Sequence, residues 1–108
     1  MSDSVEQLRT DLRRAMWDAA NVFSAHREEL ADLKPDFWAA IAGFQLAPAN
    51  WSADHLLLMV TGSHRVLGAP GDFGYGTPCG DALRRVYDLT NQLIDAQTQQ
   101  AATAKVQT

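Results

Sequence analysis

The sequence lacks most of the features that announce a function. It holds one cysteine, Cys79, so no intramolecular disulfide can form. That usage fits a reducing compartment better than an oxidising one. No apolar run, Leu56 to Val60 included, approaches the roughly 20 residues that cross a bilayer. Basic charge is not in excess either: nine Lys and Arg stand against thirteen Asp and Glu, for a formal net charge of -4. A duplex-binding surface needs clustered cations to displace counterions from phosphates. The balance therefore argues against nucleic acid as a partner. The first residues include Asp3 and Glu6 and show no basic-then-apolar leader pattern. Asn50-Trp51-Ser52 matches a glycosylation acceptor, but no other mark of secretion accompanies it. These absences point to the cytoplasm and to no membrane partner.

Chemistry-bearing motifs are equally scarce. His26, His55 and His64 contain no pair three to five residues apart, and Cys79 is remote from all of them, so no metal site is expected. The glycines near the middle of the chain follow neither a Walker loop nor a dinucleotide fingerprint, and no strand pattern precedes them. No cofactor is expected, and the sequence points away from an enzyme. A catalytic thiolate at Cys79 would need a base within hydrogen-bond reach, and the sequence places none there. A structural cysteine is the default reading.

What is present is an ordinary globular composition, 46% hydrophobic and 20% charged over 108 residues. That is enough for one domain with a core. Val5, Leu8, Leu12, Ala15, Met16, Ala19, Val22, Phe23, His26, Leu30 and Leu33 recur at steps of three and four, the period of one helix face. Ser4 and Gln7 form a capping-box pattern at its start, and Lys34-Pro35 ends it. This predicts a first helix of roughly thirty residues, about 40 Å long. A short helix from Pro35 to a stop at Gly43 should follow. A third should be capped by Ser52, stapled by Trp51 and Leu56, and closed by Gly68. From Gly68 to Gly80 so many Gly and Pro residues predict an irregular loop. A last helix should then start near Asp81. The expected fold is all-α: a small bundle of about four helices with a long N-terminal helix and a Gly-rich loop before the last one. Residues 1–100 form the domain and 101–108 a flexible polar tail.

Two features could carry function. Trp17 lies nearly opposite the apolar stripe of the first helix, and an exposed aromatic often marks a contact surface. The alternative is that the Phe37-Trp38 segment or the tail covers it. In the Gly-rich loop, Phe73 and Tyr75 alternate with glycines and either face a partner or fold onto the core. The loop also feeds a helix N-terminus, where Thr77, Arg84 and Arg85 could hold an anion. His26, on the apolar stripe, reads either as a pH switch or as a half-buried, hydrogen-bonded side chain. Glu28, Glu29 and Asp32 oppose the helix dipole and read as a solvated face or a dock for a basic partner. The sequence thus favours an interaction module, self-associating or docked on a larger protein through Trp17, Phe73 and Tyr75. An anionic-ligand binder or minor enzyme built on Thr77, Arg84 and Arg85 is the alternative.

Overall fold

A computed structural model describes residues 4–48, 50–74 and 76–107. Among them are four α-helices and no strand: α1 (Ser4–Ala25), α2 (Pro35–Leu46), α3 (Ala53–Leu67) and α4 (Pro78–Gln107). The all-α bundle expected from periodicity is the observed fold. Successive helices run antiparallel. Phe23, near the end of α1, meets Phe37 at the start of α2, while Arg13 near the other end reaches Ala47. Phe23 also meets Phe73, just before α4, so α4 starts beside the end of α1 and runs back along it. The α1–α4 seam is the most extensive contact in the molecule.

The core follows from the apolar stripes. Leu12, Met16 and Phe23 of α1, Phe37, Ile41 and Phe44 of α2, Leu56 and Val60 of α3, and Leu83, Val86 and Leu93 of α4 are all buried. Each removes apolar area from water, worth about 1.5–3 kcal/mol for a large side chain. Three aromatic rings fix one end of the bundle. Phe23 packs edge-on against Phe37 and against Phe73, with centroids 5.2 and 5.0 Å apart.

Several boundaries differ from the expected ones, for physical reasons. The first helix stops at Ala25, short of Pro35, and residues 26–32 form turns. There the backbone tightens to shorter-range bonds, with the N–H groups of His26 and Arg27 donating to the carbonyls of Phe23 and Ser24. The His26 imidazole lies 2.9 Å from the Val22 carbonyl and covers the helix end. The carboxylates of Glu28, Glu29 and Asp32 would have opposed a longer helix dipole. The second helix passes through Gly43 to Leu46. Gly43 is a close-packing position and not a stop, because a Cβ there would run into the Met59 methyl.

α3 obeys its signals: the Ser52 Oγ accepts from the His55 N–H at 3.3 Å, and Gly68 caps the C-terminus at φ 78°. The Gly-rich segment is more ordered than expected. Pro70–Phe73 forms one 3-10 turn, with Asp72 Oδ2 accepting from the Ala69 N–H at 3.0 Å. α4 begins at Pro78, a residue suited to the first helical position because its missing N–H is an orphan there anyway. At the other end α4 runs through Gln107, so residues 101–107 continue the helix. The Ala and Gln residues of this stretch are good helix formers, and the longest dimension of the molecule is 54 Å.

Candidate functional site

Trp17 keeps 48% of its surface exposed, so neither Phe37-Trp38 nor the last helix covers it. Residues 13, 17 and 21 share one face of α1 at four-residue spacing. The two outer members reach the C-terminal end of α2 and its cap. The Arg13 Nε–H donates to the Ala47 carbonyl at 3.1 Å, and the Gln45 amide donates to Asn21 Oδ1 at 3.5 Å. Trp17 therefore sits on the flank of α1 that borders α2. At the end of α2, Leu46 is 79% exposed. At ~100° per residue it stands nearly opposite the buried Phe37, Ile41 and Phe44 of that helix. Trp38, which could have shielded Trp17, turns instead to Phe37 and lies under the Arg27 guanidinium, 5.0 Å from its ring centroid.

The Gly-rich segment resolves differently from Trp17. Phe73 folds onto the core against Phe23 and Phe37, so it is not an exposed contact residue. Tyr75 lies outside the described residues. The Thr77 hydroxyl caps α4. It accepts from the Gly80 N–H at 3.1 Å and sits 2.8 and 2.6 Å from the carbonyls of Phe73 and Gly74, with one proton to give. Those carbonyls belong to a turn pressed against the helix start. A Cβ on Gly80 would collide with the Gly74 oxygen and come within 3.0 Å of the Pro70 oxygen. The first turn of α4 is therefore covered by backbone carbonyls, which occupy the place an anion would need. Arg84 and Arg85 lie about 10 Å further along, at ~1.5 Å per residue. Both are exposed, in a hollow shared with Asp81 and Asp88, and Arg84 pairs with Asp88 at 3.8 Å. Asp88 partners Arg84, and the structure does not bring either arginine together with Thr77.

Cys79 stands in that same first turn, where the helix dipole favours a thiolate. Burial wins. Desolvation, with the Glu29 carboxylate adding to it, pushes the thiol up from its ordinary value. His26 is half-buried on its Val22 partner, His55 pairs with Ser52 Oγ at 2.9 Å, and His64 lies on the Tyr87 ring. Among the described residues no group of three His, Cys, Asp or Glu is placed to hold a metal ion. Among them, too, no helix is long and apolar enough to cross a membrane.

Three arrangements escape sequence reasoning. Arg9 pairs with Glu6 at 2.6 Å, as helix spacing suggests, and holds that carboxyl below its usual range. Arg9 also donates to the Trp51 carbonyl at 3.1 Å, so with Arg13 it clamps the connector between α2 and α3. Tyr87 donates its hydroxyl to the Gly68 carbonyl at 2.8 Å, tying the end of α3 to α4. Between α3 and α4 runs an open groove of about 420 Å³ lined by Val60, Thr61, His64, Arg65, Tyr87, Thr90, Asn91 and Ile94. No local signal betrays it, because half of its lining comes from each of two segments distant in sequence. Compared with known proteins, the chain matches no family model, no curated protein and no solved structure.

Proposed function

We propose that this chain is a protein–protein interaction module that associates through the flank of α1 bearing Trp17. The observation that carries the reading is the 48% exposure of Trp17 on the flank of α1 that borders α2. Removing the exposed half of an indole from water, roughly 100 Å², is worth about 2.5 kcal/mol at ~25 cal per Å². An exposed Trp returns none of that to the monomer, and Trp is the residue type most enriched where interfaces concentrate their energy. The first partner to test is a second copy of the chain, with a larger protein as the other docking partner. The single cysteine suits a reducing compartment, and the cytoplasm is the proposed location.

Sedimentation velocity over a wide concentration range tests the reading, with far-UV circular dichroism as the control for folding. The wild type should gain mass with concentration. Trp17→Glu should shift association to higher concentration while leaving helicity unchanged. A monomer at every concentration, with no change of sedimentation in the variant, removes self-association. If no protein then co-purifies with the wild type in preference to the variant, the interaction reading itself fails. The anionic-ligand alternative at the start of α4 is the weaker reading, since backbone carbonyls crowd the Thr77 hydroxyl and Asp88 partners Arg84.

A further inference from the structure

The α3/α4 groove lies on the seam opposite Trp17, and its construction is specific. The two helices are tied near both ends. Tyr87 donates to the Gly68 carbonyl at 2.8 Å at one end, and the Gln97 amide to Asp54 Oδ1 at 3.1 Å at the other. Ten residues separate Tyr87 from Gln97, about 15 Å of helix at ~1.5 Å per residue. Over their whole lengths the two helices contact each other far less than α1 and α4 do. The gap of about 420 Å³ falls in the ~300–1,000 Å³ range of small-molecule sites.

Its buried floor is apolar in effect, while the exposed Asn91 also lines the groove. Val60 and Thr90 are buried, and the Thr90 hydroxyl spends its proton on the Val86 carbonyl at 2.7 Å. Thr61 does the same with the Leu57 carbonyl at 2.8 Å. Tyr87 has its hydroxyl engaged and packs its ring on His64, with centroids 5.3 Å apart. Ile94, 39% exposed, supplies an apolar wall.

The charge is one-sided. The lining carries Arg65 and His64 and no carboxylate, in a protein of net charge -4. Asp32 and Asp36 line a neighbouring hollow that Arg65 also borders, yet among the described residues no carboxylate comes within ion-pair distance of its guanidinium. An unpaired cation at the edge of an apolar trough is complementary to a molecule with an apolar body and one negative end. One guanidinium matches one carboxylate in geometry and charge.

We propose that this groove binds a small amphiphilic monocarboxylate, its apolar body lying over Val60, Thr90 and Ile94 and its carboxylate paired with Arg65. The binding is independent of the association at Trp17, so either can fail without the other.

The test is an NMR titration of the ¹⁵N-labelled protein with octanoate, its neutral counterpart octanamide, and the cation octylammonium. Octanoate should bind most tightly and octylammonium least, with saturable shifts confined to amides of α3 and α4 that border the groove. Arg65→Gln should weaken octanoate about tenfold, the scale of a lost charge-assisted bond, and leave octanamide unchanged. Thr61→Glu, which places a carboxylate at the groove, should abolish octanoate binding. Arg65 and Thr61 are exposed on α3, and both replacements are good helix formers, so the variants should melt as the wild type does. Equal binding of the three ligands, shifts centred on the Trp17 flank, or full octanoate affinity in Arg65→Gln overturns the proposal. So does the absence of any saturable shift.

Discussion

The same substitution, glycine to alanine, should act with opposite sign at two helical positions of this protein. Gly62 lies in the middle of α3, and a Cβ built there meets nothing within 4 Å. Alanine at an open helix interior is favoured over glycine by about 0.5–1 kcal/mol, through propensity and through a less disordered unfolded chain. For a domain of this size that raises the melting temperature by roughly 3–6 °C. Gly80 is also helical, in the first turn of α4, but its added Cβ would strike the Gly74 carbonyl and crowd that of Pro70 at 3.0 Å. Both obstacles are backbone atoms of the turn that packs Phe73 onto the core, so they cannot swing away as a side chain would. Overpacking of this kind costs about 1–3 kcal/mol. Displacing the turn also strains the Thr77 cap on the Gly80 N–H, at 3.1 Å, whose loss costs about 0.5–2 kcal/mol. Set against the alanine gain, the net is a loss of about 2 kcal/mol, or roughly 10 °C. Thermal melts followed by far-UV circular dichroism, with urea titrations to extract free energies, give both values. A Gly80→Ala protein that melts at or above the wild type would refute the close approach of the turn to α4. A Gly62→Ala protein less stable than the wild type would refute the open space beside α3.

Three further perturbations follow from individual contacts. Burial, with Asp72 adding to it, raises Tyr87 from its ordinary 10.0 to about 12. The unfolded chain therefore loses that proton first, and the stability Tyr87 contributes is complete below about pH 10 and lost as pH rises toward 12. Urea denaturation across that window should show the decline, and Tyr87→Phe should flatten it while costing about 1 kcal/mol at neutral pH for the lost bond to Gly68. Arg13→Gln should destabilise by about 1 kcal/mol and speed hydrogen exchange at Trp51, whose N–H holds the connector turn by donating to Pro48 at 3.2 Å. Cys79 should react with iodoacetamide more slowly in the native protein than in urea at neutral pH, since burial raises its thiol. Faster native alkylation would mean that the helix dipole prevails over desolvation.

The sequence by itself determined the class of fold. The three- and four-residue spacing from Val5 to Phe23, the Ser52 cap with its Trp51–Leu56 staple, and Gly68 after Leu67 are local codes. The helices and the two caps that they predict are present. The absence of a disulfide and of a metal-ligand spacing was equally a property of the chain. Where competing signals acted, the local code failed. Gly43 reads as a stop, but contact with Met59 makes it a packing position inside α2. Phe73 reads as a possible partner contact until Phe23 and Phe37 are seen to receive it. The stripe continuing through Leu30 and Leu33 reads as helix, yet the chain turns at His26 so that α2 can fold back on α1.

Only the tertiary structure decided which polar groups were already spent. Thr77, Arg84 and Arg85 look available in the sequence, but a hydroxyl used as a cap and guanidinium groups set among carboxylates offer little to a ligand. Arg65, one basic residue among nine in the sequence, acquires meaning from the groove it borders. That groove lies between helices joined by Gly68 to Tyr87 and by Asp54 to Gln97, pairs separated by 19 and 43 residues along the chain. Periodicity reports which face of a helix is apolar. It carries no information on how far apart two such faces will stand, because that distance is set by side chains that meet only after the chain has folded.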